Sequence, residues 1–168
     1  LRAELRHRRR GRLVARMQLS AHFTFAELCA TSQSGLAAAN AAEAQAYVAS
    51  LTALCTTLLE PVRAKFGVVS IHSGFRGPTL NAAIGGSKTS QHMRGEAADF
   101  HCPAVGLDEM MRWIVTESGL AYGQVILEAH RPGPPTWLHL SLGAPWREAA
   151  KCGQALRFDG SHYTAWTP

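Results

Sequence analysis

The stretch that most constrains this chain runs from Ser90 to Phe100 and reads SQHMRGEAADF. It places His92 seven residues before Asp99, with a glycine between them, and it ends in an apolar run. An imidazole and a carboxylate both suit a tetrahedral zinc ion, and the best candidate for a third ligand is His139. Two histidines and one carboxylate leave a position open for water, which is typical of a catalytic zinc site. Taken singly, each of the three residues also has an ordinary structural interpretation.

Apolar periodicity and turn residues predict alternating helices and strands, and hence an α+β domain. A capping box formed by Thr24 and Glu27 opens the first helix. A longer helix is predicted from about Asn40, which has the spacing of an N-cap relative to Glu43, and it is kinked or restarted at Pro61 and ended by Gly67. Further helices are expected at 78–83 and 107–117, strands at 68–71, 96–101, 124–128 and 137–141, and a small hairpin from 155 to 166. A small, mainly antiparallel sheet should carry the metal site on one face and helices on the other.

The segments 124–128 and 137–141 are expected to form a hairpin. If Glu128 lies opposite Trp137, then Ile126 lies opposite His139. Residues that pair across two strands share a face of the sheet. Glu128 and His139 are therefore predicted to point to the same side.

The formal net charge of +5 comes from one end of the chain. Residues 1–16 hold seven arginines and a single acid, and the remainder has 10 basic against 11 acidic residues. The arginines are Arg2, Arg6, Arg8, Arg9, Arg10, Arg12 and Arg16. We expect residues 1–16 to be a disordered basic leader and residues 17–168 to be a single domain. No apolar segment follows the arginines, so a secretory signal is not predicted.

Four cysteines are widely spaced and form no C-x-x-C pair. This spacing favours buried free thiols over a zinc knuckle or a dense disulfide framework. Cys102 lies near the proposed metal site in sequence, so a role there stays open.

Several motifs together resemble the zinc D-Ala-D-Ala carboxypeptidases and the related murein endopeptidases. Ser90-x-His92-x-x-Gly95-x-Ala97-x-Asp99 matches their central motif. The segments SGFR at 73–76 and GGS at 85–87 precede it, and QVILE at 124–128 and WLH at 137–139 follow it in the family's order. The resemblance covers roughly residues 19–142. It implies the fold shared with the hedgehog signalling domain and hydrolysis of peptidoglycan stem peptides with one zinc ion.

The resemblance also implies a role for each matched residue. His92, Asp99 and His139 match the zinc ligands. Arg76 matches an arginine that could hold the substrate carboxylate or the oxyanion of the tetrahedral intermediate. Ser87, Ser90 and Gln91 are expected to shape the substrate-binding loop or to orient the metal ligands, whereas His72 and His101 flank the site without a matched role.

The general base is the point where this chain departs from the family. Many relatives carry Glu-x-x-His before the last ligand, and here Thr136 occupies the glutamate position. Glu128 is the best substitute, because it ends the neighbouring strand on the predicted face of His139. His130 is the second candidate, and Glu128 could instead be an exposed acid at a hairpin turn. A serine hydrolase is disfavoured because no Gly-x-Ser-x-Gly elbow occurs.

Two other functions stay open. The fold could serve as a catalytically silent, zinc-containing module that binds peptidoglycan or builds a phage particle, and the missing Glu-x-x-His favours this alternative. A DNA-associated protein could use the arginine-rich segment, but we expect no nucleic-acid partner. We expect a monomer without a transmembrane segment. Synthesis in the cytoplasm without a signal peptide, followed by action on the cell wall, would fit an endolysin encoded by a phage.

Overall fold

A computed structural model describes residues 17–129 and 133–168 and contains one six-stranded sheet. Its strands are β1 (Ser70–Ser73), β2 (Ala97–His101), β3 (Tyr122–Glu128), β4 (Trp137–Leu142), β5 (Gln154–Phe158) and β6 (Tyr163–Ala165). Their spatial order is β1-β2-β4-β3-β5-β6. All neighbouring pairs are antiparallel except β3 and β5, which run parallel. The predicted α+β class and mainly antiparallel sheet are confirmed.

The helices are α1 (Phe25–Leu28), α2 (Ala37–Glu43), α3 (Val48–Leu54), α4 (Glu60–Phe66), α5 (Pro78–Ala83) and α6 (Leu107–Thr116). Short 3₁₀ turns lie at Ser34–Leu36, Ala44–Tyr47, Gln91–Arg94 and Ala149–Lys151. Within the described residues, no helix is both long and apolar enough to cross a membrane.

The structure contains two local features that concern the predicted helices, a capping box and an irregular turn near Pro61. The capping box at Thr24 and Glu27 forms as expected. The helix through Pro61 widens into a π-helical turn at Cys55–Leu59, directly before α4. Proline has no backbone N–H and its ring crowds the carbonyl four residues earlier, so a wider turn accommodates it.

Asn40 is not the N-cap of the long helix, and this prediction was wrong. Helix α2 begins at Ala37, and the Asn40 side chain is buried at 2% exposure. Its amide nitrogen donates to the carbonyls of Cys29 at 3.0 Å and Phe75 at 3.1 Å, while its amide oxygen accepts from the Gly77 N–H at 2.7 Å. These long-range bonds, invisible in the local sequence, fix the loop that carries Arg76. The first strand also begins two residues later than predicted, at Ser70.

Alternate residues of the central strands point to opposite faces of the sheet. One face packs against the helices in a continuous apolar cluster, to which the strands contribute Ala98, Phe100, Val125, Leu127, Leu138 and Leu140. The other face presents Asp99, His139 and Glu128. The pairings of Ile126 with His139 and of Glu128 with Trp137 occur as predicted.

Candidate metal centre

Three buried residues converge where β2 meets β4. Asp99 and His139 are directly paired across the two strands, and His92 reaches them from the 3₁₀ turn Gln91–Arg94. Asp99 Oδ1 lies 2.8 Å from His139 Nδ1 and 3.1 Å from His92 Nε2. The two imidazole nitrogens are 3.3 Å apart. Among the described residues this is the cluster whose ligand atoms could share one metal ion.

Each histidine is held by an acceptor that fixes which ring nitrogen faces the cluster. The Nδ1–H of His92 donates to the Gly74 carbonyl at 2.7 Å. The Nε2–H of His139 donates to Gln91 Oε1 at 3.2 Å, because the Gln91 amide nitrogen is already directed at Ser141 Oγ. Neutral imidazole carries one N–H, so the other ring nitrogen of each histidine presents a lone pair towards Asp99.

This donor set fits a zinc ion. Two nitrogen lone pairs and a carboxylate oxygen face one another with no hydrogen-bond donor between them, so only a cation or an added proton relieves their repulsion. Ligand atoms bound about 2.0–2.1 Å from a tetrahedral zinc ion lie about 3.3 Å apart. The nitrogen-to-nitrogen distance of 3.3 Å in this cluster agrees with that spacing, and the two nitrogen-to-oxygen distances, 3.1 and 2.8 Å, are shorter.

The surroundings keep the cluster in the protonation state that a metal requires. Burial lowers the pKa of His92, and the nearby carboxylate of Asp99 only partly opposes this. Burial alone would raise the pKa of Asp99, but positive charge and hydrogen bonds from His92 and His139, when those ring nitrogens carry a proton, hold it well below its usual range. A neutral imidazole and an ionised carboxylate are the metal-binding forms.

The cluster lies in the wall of an open cavity of about 770 Å³. Arg76 lines this cavity, with Nη2 3.9 Å from Asp99 Oδ2. Its Nε is buried and has no hydrogen-bond partner among the described residues, and its backbone N–H donates to the His92 carbonyl at 3.1 Å. The backbone at Arg76 is thus held by the same turn that carries His92, and the guanidinium keeps donor capacity for a ligand.

Glu128 also lines the cavity, on the face predicted from the hairpin register. Its Oε2 accepts a hydrogen bond from the Trp137 indole N–H at 2.8 Å. Thr136 instead donates its backbone N–H to the Glu128 carbonyl at 2.7 Å, which makes it part of the turn. Because ionised carboxylates accept several hydrogen bonds, Glu128 keeps capacity to bind a water or a substrate N–H.

Ser87 and Ser90, the predicted substrate-binding residues, both line the cavity. The Ser87 hydroxyl accepts from the Thr89 N–H at 3.2 Å, and the Ser87 carbonyl accepts from the buried Asn81 amide at 3.0 Å. Ser87 therefore shapes the loop, while Ser90 precedes the turn that holds His92. Their contact with a substrate stays a prediction.

Some residues singled out in the sequence lie away from this cavity. Cys102 is buried in the apolar cluster on the helical side of the sheet. His72 and His101 contact each other, with ring nitrogens 2.6 Å apart, and do not line the cavity. His130 and the leader 1–16 fall outside the described residues.

Sequence reasoning missed several residues that line the cavity. Gln124 and Arg147 meet there, and Trp146 and Tyr163 form part of its rim. Arg147 and Tyr163 come from the segment after β4, which carries no recognisable motif. The predicted hairpin at 155–166 was the one signal that could have placed Tyr163 near the sheet.

The family model for Peptidase M15 matches residues 21–130 of the 168. The chain therefore belongs to the peptidase M15 family, the zinc D-Ala-D-Ala carboxypeptidase family predicted from its motifs. The matched range contains Arg76, His92, Asp99 and Glu128, and it ends before His139. A comparison with curated proteins found no match. Membership places the chain among the zinc metallopeptidases.

Proposed function

We propose that the protein hydrolyses a peptide bond in peptidoglycan stem peptides, with one zinc ion held by His92, Asp99 and His139. The observation that carries this proposal is the convergence of three metal-binding atoms in the wall of a cavity that Arg76 and Glu128 also line. Family membership supports the reaction class and a cell-wall target. The reaction would be that of a D-Ala-D-Ala carboxypeptidase or a murein endopeptidase, on the hedgehog/DD-peptidase fold. Action during phage lysis stays a prediction from the sequence.

Zinc, when bound, supplies a Lewis acid that polarises a carbonyl and makes water nucleophilic near neutral pH. The chain's own residues then supply orientation and proton transfer. Arg76 can bind the substrate carboxylate or the oxyanion of the tetrahedral intermediate through charge-assisted hydrogen bonds. Its Nε has no partner within the described residues, so a donor is available, and the backbone that carries it is held by the hydrogen bond to His92. Both observations support this role.

Glu128 is proposed as the general base that accepts a proton from the attacking water and passes it to the leaving amine. The Trp137 N–H occupies Oε2 and limits rotation of the carboxylate. Oε1 is then the oxygen that would receive the proton. This assignment replaces the glutamate that relatives place at the position of Thr136.

The second candidate is a silent module that binds zinc and peptidoglycan without turnover. Thr136 is the observation that favours it, because a threonine cannot act as a carboxylate base. The two functions predict different results when Glu128 is replaced. A peptidase would lose activity, whereas a silent module does not need Glu128 for binding.

The test is hydrolysis of purified muropeptides by the zinc-loaded protein, together with measurement of bound zinc. We expect His92→Ala to lose zinc and activity. Glu128→Gln should keep zinc and lose about 10²- to 10⁴-fold in kcat. Glu117→Gln, at an exposed acid beyond the end of α6, is the matched control and should behave like wild type. Zinc binding without any product would favour the silent module, and full activity of Glu128→Gln would refute the assigned base.

A further inference from the structure

The cavity contains a second arginine that no part of the proposed reaction uses. Arg147 lies in the segment between β4 and β5 and lines the same cavity as His92, His139 and Glu128. Its Nη1 donates to Gln124 Oε1 at 3.2 Å, and its buried Nε has no hydrogen-bond partner in the part of the chain that the structure describes. A guanidinium donor that is removed from water without a partner is costly unless a ligand satisfies it.

Neighbouring residues hold the Arg147 side chain in place. The Gln124 amide nitrogen donates to Gln154 Oε1 at 2.8 Å, which turns the amide oxygen towards the guanidinium. The stem of Arg147 lies over Gly123, where an added Cβ would come within 3.1 Å of Arg147 Cδ and 2.4 Å of the Leu142 carbonyl oxygen. Any side chain at position 123 would therefore displace the arginine or the strand.

Gln124 faces the cavity because it lies two and four residues before Ile126 and Glu128 on β3, and alternate residues of a strand share a face. The pairing of β3 with β4 shifts register between Tyr122 and Val125, and the Gln124 N–H donates to the Ser141 hydroxyl at 2.9 Å. Ser141 also accepts from Gln91, the residue that orients His139. Gln124, which holds Arg147, and the metal cluster thus belong to one hydrogen-bond network.

Arg147 has no close acidic partner among the described residues. The adjacent Glu148 forms its ion pair with Lys151 at 2.9 Å. A hydrogen bond from Lys151 is the main cause that lowers the pKa of Glu148, and the positive charges of Lys151 and Arg147 lower it further. The guanidinium is therefore not neutralised by an ion pair within the described chain.

The strand geometry places Arg147 on a defined side of the metal cluster. His139 pairs with Ile126, while Gln124 and Glu128 lie two residues away along β3 in opposite directions. Two residues of a strand span about 6–7 Å. Glu128, the proposed base, and Gln124, which accepts the hydrogen bond from Arg147, therefore flank the metal cluster in opposite directions along β3.

We propose that Arg147 forms a carboxylate-binding subsite on the Gln124 side of the metal cluster. This inference rests on the proposed function and narrows its substrates to stem peptides with a free carboxylate at that subsite. Arginine forms paired, charge-assisted hydrogen bonds with carboxylates and thereby selects them over carboxamides. The carboxylate can come from the C-terminus of the stem peptide or from an internal residue such as a γ-linked D-glutamate.

The test compares one stem peptide with derivatives in which a single carboxylate is replaced by a carboxamide, either at the C-terminus or at an internal residue. The zinc-loaded wild type should lose about 10- to 100-fold in kcat/KM for one of these replacements. Arg147→Gln should lose most of that preference, and Arg147→Lys should keep part of it. Arg157→Gln removes the same charge from an ion pair with Asp108, outside this cavity, and should keep the wild-type preference.

Two results would overturn the subsite. One is a wild-type protein that treats every free and amidated peptide alike. The other is an Arg147→Gln variant that folds and still discriminates as the wild type does. If no peptide is hydrolysed, the Kd of each peptide is measured by calorimetry. A preference that depends on Arg147 would then support the subsite while refuting the proposed hydrolysis.

Discussion

Replacing Gln91 by methionine removes the hydrogen bond that orients a proposed metal ligand. Gln91 is 8% exposed and lies between His139 Nε2 and Ser141 Oγ. Methionine has a similar length and no acceptor able to replace the amide oxygen. The His139 ring would then be free to rotate or to adopt the other tautomer, so its lone pair would no longer be fixed towards Asp99.

The expected cost follows from that single lost contact. Loss of an outer hydrogen bond to a metal-bound histidine typically weakens metal affinity by 10- to 100-fold. This corresponds to about 1.4–2.8 kcal/mol in binding free energy. The free energy of unfolding should change by less than about 1.5 kcal/mol, because the substitution nearly conserves volume and Ser141 keeps its bond from the Gln124 N–H.

The assay is competition for zinc between the protein and a chromophoric chelator of known affinity. Gln33→Met, at an exposed position before α2, is the matched control and should keep the wild-type Kd. A Gln91→Met variant whose zinc Kd stays within about twofold of wild type would refute the argument that this amide fixes the ligand.

Three further predictions concern the rest of the chain. Asn40→Ala leaves three buried backbone groups unsatisfied, so urea titration should show a loss of about 3 kcal/mol in the free energy of unfolding; an unchanged value would contradict the bracing role. In native protein at pH 8, a disulfide reagent should react with one thiol, that of Cys152, and after denaturation it should react with four. The other three thiols are protected in the native protein because burial raises the pKa of Cys29 and Cys55 to about 12 and of Cys102 to about 11. Burial would raise the pKa of Glu60, but hydrogen bonds from Ser20 and His22 outweigh it and lower the pKa. Its stabilisation is therefore full above the unfolded pKa of about 4.3 and disappears as the pH falls through the lower folded pKa. In chelating buffer, wild type should accordingly lose more stability below pH 4 than Glu60→Gln, and parallel pH curves would refute this.

The central site was predictable because its residues lie in short, patterned segments. His92 and Asp99 stand seven residues apart, and the alternation of strand residues determines which side chains share a face. Once the hairpin was predicted, its register brought Glu128 to the side of His139, and the observed pairing confirms this. The roles of these residues in catalysis stay predictions.

Apart from Gln91, the supporting residues were not predictable, since they depend on contacts between distant segments. Asn40 has the spacing of a helix cap but acts as a buried brace for the Arg76 loop. The parallel pairing of β5 with β3 joins residues about 30 apart and has no local signature. Without that pairing, nothing in the sequence brings Gln154 to Gln124 or indicates where Arg147 lies.

The most direct test of the proposed function is the mass of the products formed from a defined muropeptide by the zinc-loaded full chain. We predict fragments whose masses correspond to addition of one water across a peptide bond of the stem. Protein whose zinc has been removed by a chelator should form no such fragments, and fragment formation should resume when zinc is restored. An intact muropeptide after incubation with protein that carries one zinc ion would contradict the proposed peptidase activity.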